Sequence, residues 1–310
     1  MDSLVTSELS DDFYIAYDSF NSPVTYYQVD ESLKPKAIKN QPSFFNHKDI
    51  EVQQHFTQSL DGTMVPYFLV HKKGLEFNSK NPTILYGYGG FEVSLKAHFS
   101  NILGIGWLDQ GGVYVLSNIR GGGEYGPSWH QAALKDKRDR AYQDFFAIAE
   151  DLFKRKITSP EHLGARGGSN GGLLMGVCYT QRPDLFKAIN CGVPLLDMHR
   201  YHKLLAGHSW IAEYGNPDEE IDGEYIRNLS PYHRIKENQK GNPIIFLNTS
   251  TKDDRVHPGH ARKFAAKIKE FNYPFYYYEN IDGGHAGASN MKELAFIEAL
   301  DYAFFWTHLS

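Results

Sequence analysis

Short apolar runs alternate with amphipathic segments along most of this chain. Runs bounded by Gly, Pro or Asn predict strands at 65–70, 84–86, 113–116, 244–247 and 275–278. Apolar positions spaced i, i+3, i+4 and i+7 predict helices at 142–153, 264–271 and 294–309. Strands that alternate with helices of this length are typical of βαβ units. The pattern therefore predicts an α/β fold with a mainly parallel, doubly wound sheet and helices on both faces.

The N-terminal segment has a different pattern. Residues 12–16 and 25–29 predict two short strands that a turn at Asn21-Ser22-Pro23 joins into a meander hairpin. The stretch that follows contains Pro35 and Pro42 among several lysines, which is typical of a linker. We therefore expect a small unit over residues 1–32, a linker over 33–44 and the main domain over 45–310.

Composition narrows the function classes. The 310 residues include 32 Lys and Arg against 37 Asp and Glu, a net charge of −5, so nothing indicates binding to nucleic acid or to an anionic membrane. No apolar stretch is long enough to span a membrane. The first basic residue is Lys34, so we do not expect the basic start of a secretory signal. Two cysteines, Cys178 and Cys191, form neither a disulfide framework nor a zinc site. We expect a cytoplasmic protein.

A candidate nucleophile lies in the segment Gly167-Gly168-Ser169-Asn170-Gly171, which matches the pattern G-x-S-x-G. In this pattern the serine occupies a sharp turn between a strand and a helix, and its hydroxyl projects into a cleft. Small flanking residues permit the strained turn and the close packing of the helix. The residues before and after this segment can form such a strand and helix. A plain glycine-rich turn is the alternative for the segment taken alone.

A nucleophilic serine needs a base, and the base needs an acid to orient it. In α/β-hydrolases these groups follow in the order Ser, Asp or Glu, His. After the predicted strand 244–247 come Asp253 and Asp254, and the pattern does not choose between them. After the last predicted strand comes His285 between small residues. The order and the loop positions predict a Ser-Asp-His triad.

The loop after the predicted strand 84–86 is a candidate for the other half of an oxyanion site. A tetrahedral intermediate needs two donors directed at its oxygen. One is the backbone N–H of Asn170, which follows the serine. The second is a backbone N–H of the loop or the phenol of Tyr88, although a lone tyrosine is more often a packed aromatic.

Two other groups of residues predict no site. Gly121, Gly123 and Gly126 match the dinucleotide pattern G-x-G-x-x-G, but no acidic residue is placed to bind a ribose, so we expect a structural loop. The histidines between 199 and 208 lack the spacing of metal ligands. We therefore predict neither a metal nor a cofactor.

Together these motifs resemble the catalytic domain of the prolyl oligopeptidase family of serine peptidases. The similar segments occur in order from about residue 45 to the C-terminus and include 85–91, 118–126, 167–174, 182–186, 197–198, 207–210, 253–256 and 284–287. The resemblance implies an α/β-hydrolase fold. It also implies hydrolysis of peptides on the carboxyl side of proline through an acyl-enzyme, with proline-containing peptides as the substrates.

The resemblance also assigns roles to individual residues. Ser169 is the expected nucleophile, His285 the general base and acid, and Asp253 the orienting carboxylate. The phenol of Tyr88 and the N–H of Asn170 are the expected oxyanion donors. The substrate proline ring is expected to contact Trp210, Phe91, Leu195, Tyr214 and Val256, and a substrate carbonyl to contact Arg255. The alternatives are core packing for Trp210 and a surface ion pair for Arg255.

Family members also have a seven-bladed β-propeller, and each blade takes about 40–50 residues. Residues 1–32 resemble only the last strands of such a propeller, so we expect a propeller-less form with a relaxed limit on substrate length. Two alternatives to a proline-specific peptidase stay open. One is an α/β-hydrolase peptidase or esterase of other specificity, and the other is an inactive fragment with an unstable fold.

Overall fold

A small antiparallel sheet opens the chain in the computed structural model, which describes residues 3–7, 10–237 and 241–310. Its four strands pair in the order of the sequence and are β1 (Ser3–Ser7), β2 (Ser10–Ser19), β3 (Ser22–Val29) and β4 (Pro35–Asn40). The predicted hairpin is confirmed, since β2 pairs antiparallel with β3 and Phe13 lies opposite Val29.

The predicted linker is wrong over part of its length, because β4 lies inside it and pairs antiparallel with β3. Every residue of β4 is exposed, so this strand has no alternation of apolar and polar positions that a sequence pattern could detect. Its first residue, Pro35, lacks an N–H, and an edge strand tolerates this because one side of its backbone faces solvent.

The main sheet has eight strands, of which only β6 runs antiparallel to both of its neighbours. The strands are β5 (Ile50–Gln58), β6 (Met64–Lys72), β7 (Thr83–Tyr86), β8 (Val113–Ser117), β9 (Leu163–Gly168), β10 (Ala188–Gly192), β11 (Ile244–Ser250) and β12 (Phe275–Asn280). Their order is β5-β6-β8-β7-β9-β10-β11-β12. All five predicted strands of this domain are confirmed, and the fold is that of an α/β-hydrolase.

Nine helices accompany the sheets in the described part of the chain. They are α1 (Asn101–Gly106), α2 (Pro127–Gln131), α3 (Asp139–Lys154), α4 (Asn170–Gln181), α5 (Ile211–Tyr214), α6 (Glu220–Leu229), α7 (Pro231–Arg234), α8 (Gly259–Glu270) and α9 (Met291–Leu309). The predicted helices correspond to α3, α8 and α9. One hydrophobic cluster contains side chains of α3, α4 and α8, and a second contains side chains of α1 and α9. Along β8, Val113 and Val115 belong to the first cluster while Tyr114 and Leu116 belong to the second. The helices therefore cover both faces of the sheet.

The strand order places several loops at one edge of the main sheet. After β7 the chain adds β8 on one side, and β9 then pairs with the opposite side of β7. In open α/β sheets, ligands bind outside the carboxyl ends of the strands at such a reversal. The segments that follow β7, β9, β11 and β12 carry the candidate triad and oxyanion residues, and the segment that follows β10 carries Leu195, Trp210 and Tyr214.

Candidate functional site

The turn between β9 and α4 holds Ser169 in a strained backbone conformation, with φ of 59° and ψ of −116°. A non-glycine residue at positive φ costs free energy and persists where the surroundings enforce it. Here the Ser169 N–H donates to the carbonyl of Gly192 at 2.8 Å. A Cβ on Gly167 would lie 2.5 Å from the carbonyl oxygen of Gly171, so the turn requires glycine there. The serine is half-buried at the start of the helix, as the motif predicts.

His285 lies between Ser169 and Asp253. Its Nδ1 is 2.7 Å from Asp253 Oδ2, and its Nε2 is 3.1 Å from Ser169 Oγ. Asp253 is buried, whereas Asp254 is exposed. The second oxygen of Asp253, Oδ1, accepts the backbone N–H groups of Arg255 and Val256, both at 2.9 Å. These bonds fix the carboxylate so that its other oxygen faces the imidazole.

Tyr88 lies beside Ser169 on the loop that follows β7. Burial raises the pKa of its phenol, while the Arg255 and Arg138 cations and a hydrogen bond with the Ser169 side chain oppose the rise. The net pKa is above its ordinary value, so the phenol keeps its proton at neutral pH and can donate a hydrogen bond. The N–H of Asn170 lies in the first turn of α4, where amides have no partner within the helix.

A cavity of about 250 Å³ opens beside Ser169. Its lining residues are Tyr88, Phe91, Val93, Ser169, Leu195, Ser209, Trp210, Tyr214 and Arg255. The Phe91 ring meets Trp210 edge to face at 6.5 Å and Tyr214 edge to face at 5.5 Å. Five of the six residues predicted to bind substrate therefore share one cavity wall. The sixth, Val256, lies outside this wall, is 2% exposed and donates its N–H to Asp253.

Behind this cavity lies a buried ionic group that the sequence analysis missed. Arg138 and Glu213 pair at 2.9 Å, and Glu213 also pairs with His130 at 2.7 Å. Burial raises the pKa of Glu213, but Arg138 and the hydrogen bonds from His130 and Phe91 hold the net value below the ordinary range. Arg138 belongs to the charged run 135–140, which is typical of a solvated surface, so no signal in the sequence distinguishes it.

The glycine-rich segment 121–126 forms a loop of turns in the structure, and the preceding Arg120 anchors it. The Arg120 guanidinium pairs with Asp144 at 2.7 Å and with Asp61 at 2.5 Å. Within the described residues, no three His, Cys, Asp or Glu side chains are grouped as metal ligands would be. Over the same residues, every helix is too short or too polar to cross a bilayer.

Known proteins similar to this chain are peptidases. The model of the prolyl oligopeptidase family matches residues 97–310. An uncharacterized peptidase of Sinorhizobium fredii is 49% identical over 301 residues, which cover 97% of this chain and 41% of that protein. A prolyl endopeptidase of Elizabethkingia meningoseptica is 40% identical over 260 residues, which cover 83% of this chain and 37% of that protein.

Solved structures give the same result. The structure of a post-proline cleaving enzyme from Rickettsia typhi superposes with a TM-score of 0.94 at 42% identity, over 99% of this chain and 44% of that one. The chain thus spans between 37% and 44% of the length of these relatives. Because the family model matches more than half of the chain, the chain belongs to the prolyl oligopeptidase family.

Proposed function

We propose that this chain is a serine peptidase that hydrolyses peptides on the carboxyl side of proline through an acyl-enzyme. The observation that supports this most is the continuous path from Asp253 through His285 to the Ser169 hydroxyl, beside a cavity with aromatic walls. The names of two relatives, a prolyl endopeptidase and a post-proline cleaving enzyme, support the same specificity.

In the proposed reaction, Ser169 Oγ attacks the scissile carbonyl carbon while His285 Nε2 accepts the hydroxyl proton. The buried Asp253 carboxylate accepts a hydrogen bond from the Nδ1–H of the imidazole, stays ionised, and stabilises the imidazolium that forms. His285 then gives its proton to the leaving amine, the C–N bond breaks, and the acyl group remains on Ser169. A water molecule then attacks the acyl carbon while His285 accepts its proton. His285 gives this proton to Ser169 Oγ as the bond between the acyl carbon and Oγ breaks, which releases the acid product.

Negative charge develops on the carbonyl oxygen in both halves of this reaction. We assign its stabilisation to the Tyr88 phenol and to the N–H of Asn170, since both lie next to Ser169. Donors of this kind are effective because they are already oriented before the charge forms.

The proposed specificity follows from the cavity wall. Trp210 is half-buried with its ring in the wall, and Phe91 meets it edge to face. A flat apolar pocket favours a proline ring over a charged side chain. The cation in this wall belongs to Arg255, which is exposed and can donate to a carbonyl of the substrate backbone.

Two further proposals concern the rest of the molecule. The sheet β1–β4 is a four-stranded antiparallel meander, the architecture of a propeller blade, and we assign it to the end of such a propeller. We also propose that the protein is cytoplasmic, because Cys178 and Cys191 are buried free thiols and the cytoplasm is reducing.

Steady-state cleavage of a blocked Gly-Pro 4-nitroanilide by the purified chain tests the proposed function. We expect turnover that Ser169→Ala abolishes, and a higher kcat/KM than for the matching Gly-Ala and Gly-Arg anilides. Turnover of a 4-nitrophenyl ester with none of the anilide would indicate an esterase instead. A folded chain that hydrolyses neither substrate would contradict the proposal.

A further inference from the structure

Arg138 occupies an unfavourable position for a cation. Its side chain is 1% exposed, and it directly precedes the first residue of α3. The N-terminus of a helix carries partial positive charge, so a cation there is destabilising. Burial adds a desolvation cost that only close partners offset. Interactions of the Arg138 guanidinium must offset these two free-energy costs.

The guanidinium of Arg138 connects three segments that are far apart in the sequence. Its Nη1 donates to Glu213 Oε1 of α5 at 2.9 Å. Its Nη2 donates to the carbonyl of Gly89 at 3.2 Å and to the side-chain oxygen of Asn170. The same guanidinium lies over the Tyr214 ring, 4.6 Å from its centre. One side chain therefore joins the loop after β7, the serine turn and the helix that contributes Tyr214 to the cavity wall.

These contacts also fix the orientation of the Asn170 side chain. Its oxygen accepts hydrogen bonds from Arg138 and from the Tyr214 hydroxyl, the latter at 2.8 Å. Its nitrogen donates to the backbone carbonyl of Tyr88 at 2.6 Å. A reversed amide would direct its NH₂ group at the Arg138 donor and its oxygen at the Tyr88 carbonyl, so the observed orientation is enforced. Asn170 thereby ties its own backbone to the backbone of Tyr88.

Glu213 extends this restraint along the loop. Its Oε1 accepts the N–H of Phe91 at 2.9 Å. Phe91 has a φ of 56°, a strained conformation for a residue with a side chain. Gly90 packs directly against the Asn170 side chain, since a Cβ at this position would lie 2.5 Å from Asn170 Nδ2. The network therefore holds a strained loop against the serine turn.

We propose that Arg138 is a positioning residue that fixes the spacing between the Tyr88 phenol and the Asn170 N–H, the two oxyanion donors. This inference rests on the proposed function, because it assigns Arg138 to the same reaction. Arg138 does not line the cavity and acts through the loop and the serine turn. Its positive charge also reaches the Tyr88 phenol, where it opposes the rise in pKa that burial causes.

The test compares Arg138→Met with Arg155→Met, which changes the same residue type at the other, exposed end of α3. Both variants are assayed with the blocked Gly-Pro anilide, and their folding is checked by thermal unfolding. For Arg138→Met we expect kcat to fall by about 10²-fold, the usual effect of losing an oxyanion donor, and KM to change by less than about threefold. Arg155→Met should keep the wild-type kcat.

Two further measurements separate positioning from a merely structural role. A blocked Gly-prolinal aldehyde forms an oxyanion on the enzyme, whereas the product acid does not. Arg138→Met should weaken binding of the aldehyde by about the same factor by which it lowers kcat, and it should leave binding of the product acid unchanged. In a Tyr88→Phe background, Arg138→Met should lower kcat by less than about tenfold, because the donor it positions is already absent.

Several results would overturn this inference. If wild type cleaves the anilide and folded Arg138→Met has the wild-type kcat, the inference fails and the proposed function stands. Fully multiplicative effects of Arg138→Met and Tyr88→Phe would also overturn it. If Arg138→Met does not fold, Arg138→Lys decides the question, since a single ammonium cannot reach all three acceptors and kcat should still fall. If wild type is inactive, the proposed function and this inference fail together.

Discussion

The contact between the serine turn and the loop after β7 leads to a prediction about two glycines in one motif. Gly171 lies in the first turn of α4, and a Cβ there would be 2.6 Å from the carbonyl oxygen of Gly87. Gly168 precedes the serine, and a Cβ there would be 3.7 Å from its nearest neighbour, the oxygen of Gly192. Alanine at these two positions changes the chain by the same methyl group but meets different surroundings.

The size of the effect follows from the distances. An ordinary contact starts near 3.4 Å, so Gly171→Ala must separate two backbone segments by about 0.8 Å. The gain in helix propensity, about 1 kcal/mol, is smaller than the cost of overpacking, which reaches about 3 kcal/mol. A shift approaching 1 Å between reacting groups lowers rates by about 10²-fold. Gly168→Ala makes only an ordinary contact, so we expect a kcat within about twofold of wild type.

The assay is kcat/KM for the blocked Gly-Pro anilide, with thermal unfolding of each variant as the test of folding. Gly171→Ala should lose about 10²-fold in kcat/KM at a temperature where it is fully folded. Equal activity of the two alanine variants would refute the reasoning, because the distances then would not govern the site. A lower kcat/KM for Gly168→Ala than for Gly171→Ala would also refute the reasoning.

Three further predictions concern specificity, stability and pH. Trp210→Ala should lower kcat/KM for the prolyl anilide by about 10- to 100-fold and the preference over the alanyl analogue with it, because the apolar wall for the ring is lost. Arg120→Met should lower the free energy of unfolding in urea by about 3–5 kcal/mol, because it leaves the fully buried Asp144 carboxylate without its cation. The hydrogen bond from Arg262 holds the pKa of Glu279 at about 2, below its ordinary 4.5. The stabilisation that the ionised Glu279 carboxylate gives is therefore complete above pH 4.5 and is lost as the pH falls to about 2. The Tm difference between wild type and Glu279→Gln should be largest near neutral pH and should disappear at about pH 2.

Each of these has a control and a contradicting result. An unchanged preference for proline in Trp210→Ala would place the specificity elsewhere. Arg182→Met removes two ion pairs at the surface, with Glu150 and Asp184, and should cost less than about 1 kcal/mol, so a comparable loss in both arginine variants would contradict the argument from burial. A Tm difference for Glu279→Gln that grows as the pH falls would have the wrong sign.

The sequence predicted the fold where burial leaves a periodic pattern. Helix α3 has one apolar face against the core, and its spacing was visible in the chain. Strand β4 is exposed at every position, and so its pairing with β3 left no alternation to detect. Strand β10 was also missed, because a five-residue run buried at every position has no period and is too short to distinguish from a buried helix segment.

In the candidate site, too, the sequence predicted some residues, and only the folded structure reveals the others. Ser169 and His285 were predicted because their loops follow particular strands, and strand order determines which loops meet. The choice of Asp253 over Asp254 needed the resemblance, and in the structure the two differ by burial, which adjacent carboxylates in a sequence cannot reveal. Arg138 was missed because its partners lie on distant segments, so only the folded chain shows that this cation is enclosed.

The central claim is that Ser169 forms an acyl-enzyme with a prolyl substrate, and a trapped intermediate tests it most directly. The chain is mixed with a saturating blocked Gly-Pro 4-nitrophenyl ester, quenched in acid within milliseconds, digested and analysed by mass spectrometry. We predict that the added mass of the Gly-Pro acyl group is on the peptide that contains Ser169, and that Ser169→Ala shows none. Consumption of the ester with Ser169 unmodified, or the acyl group on another residue, would contradict the account.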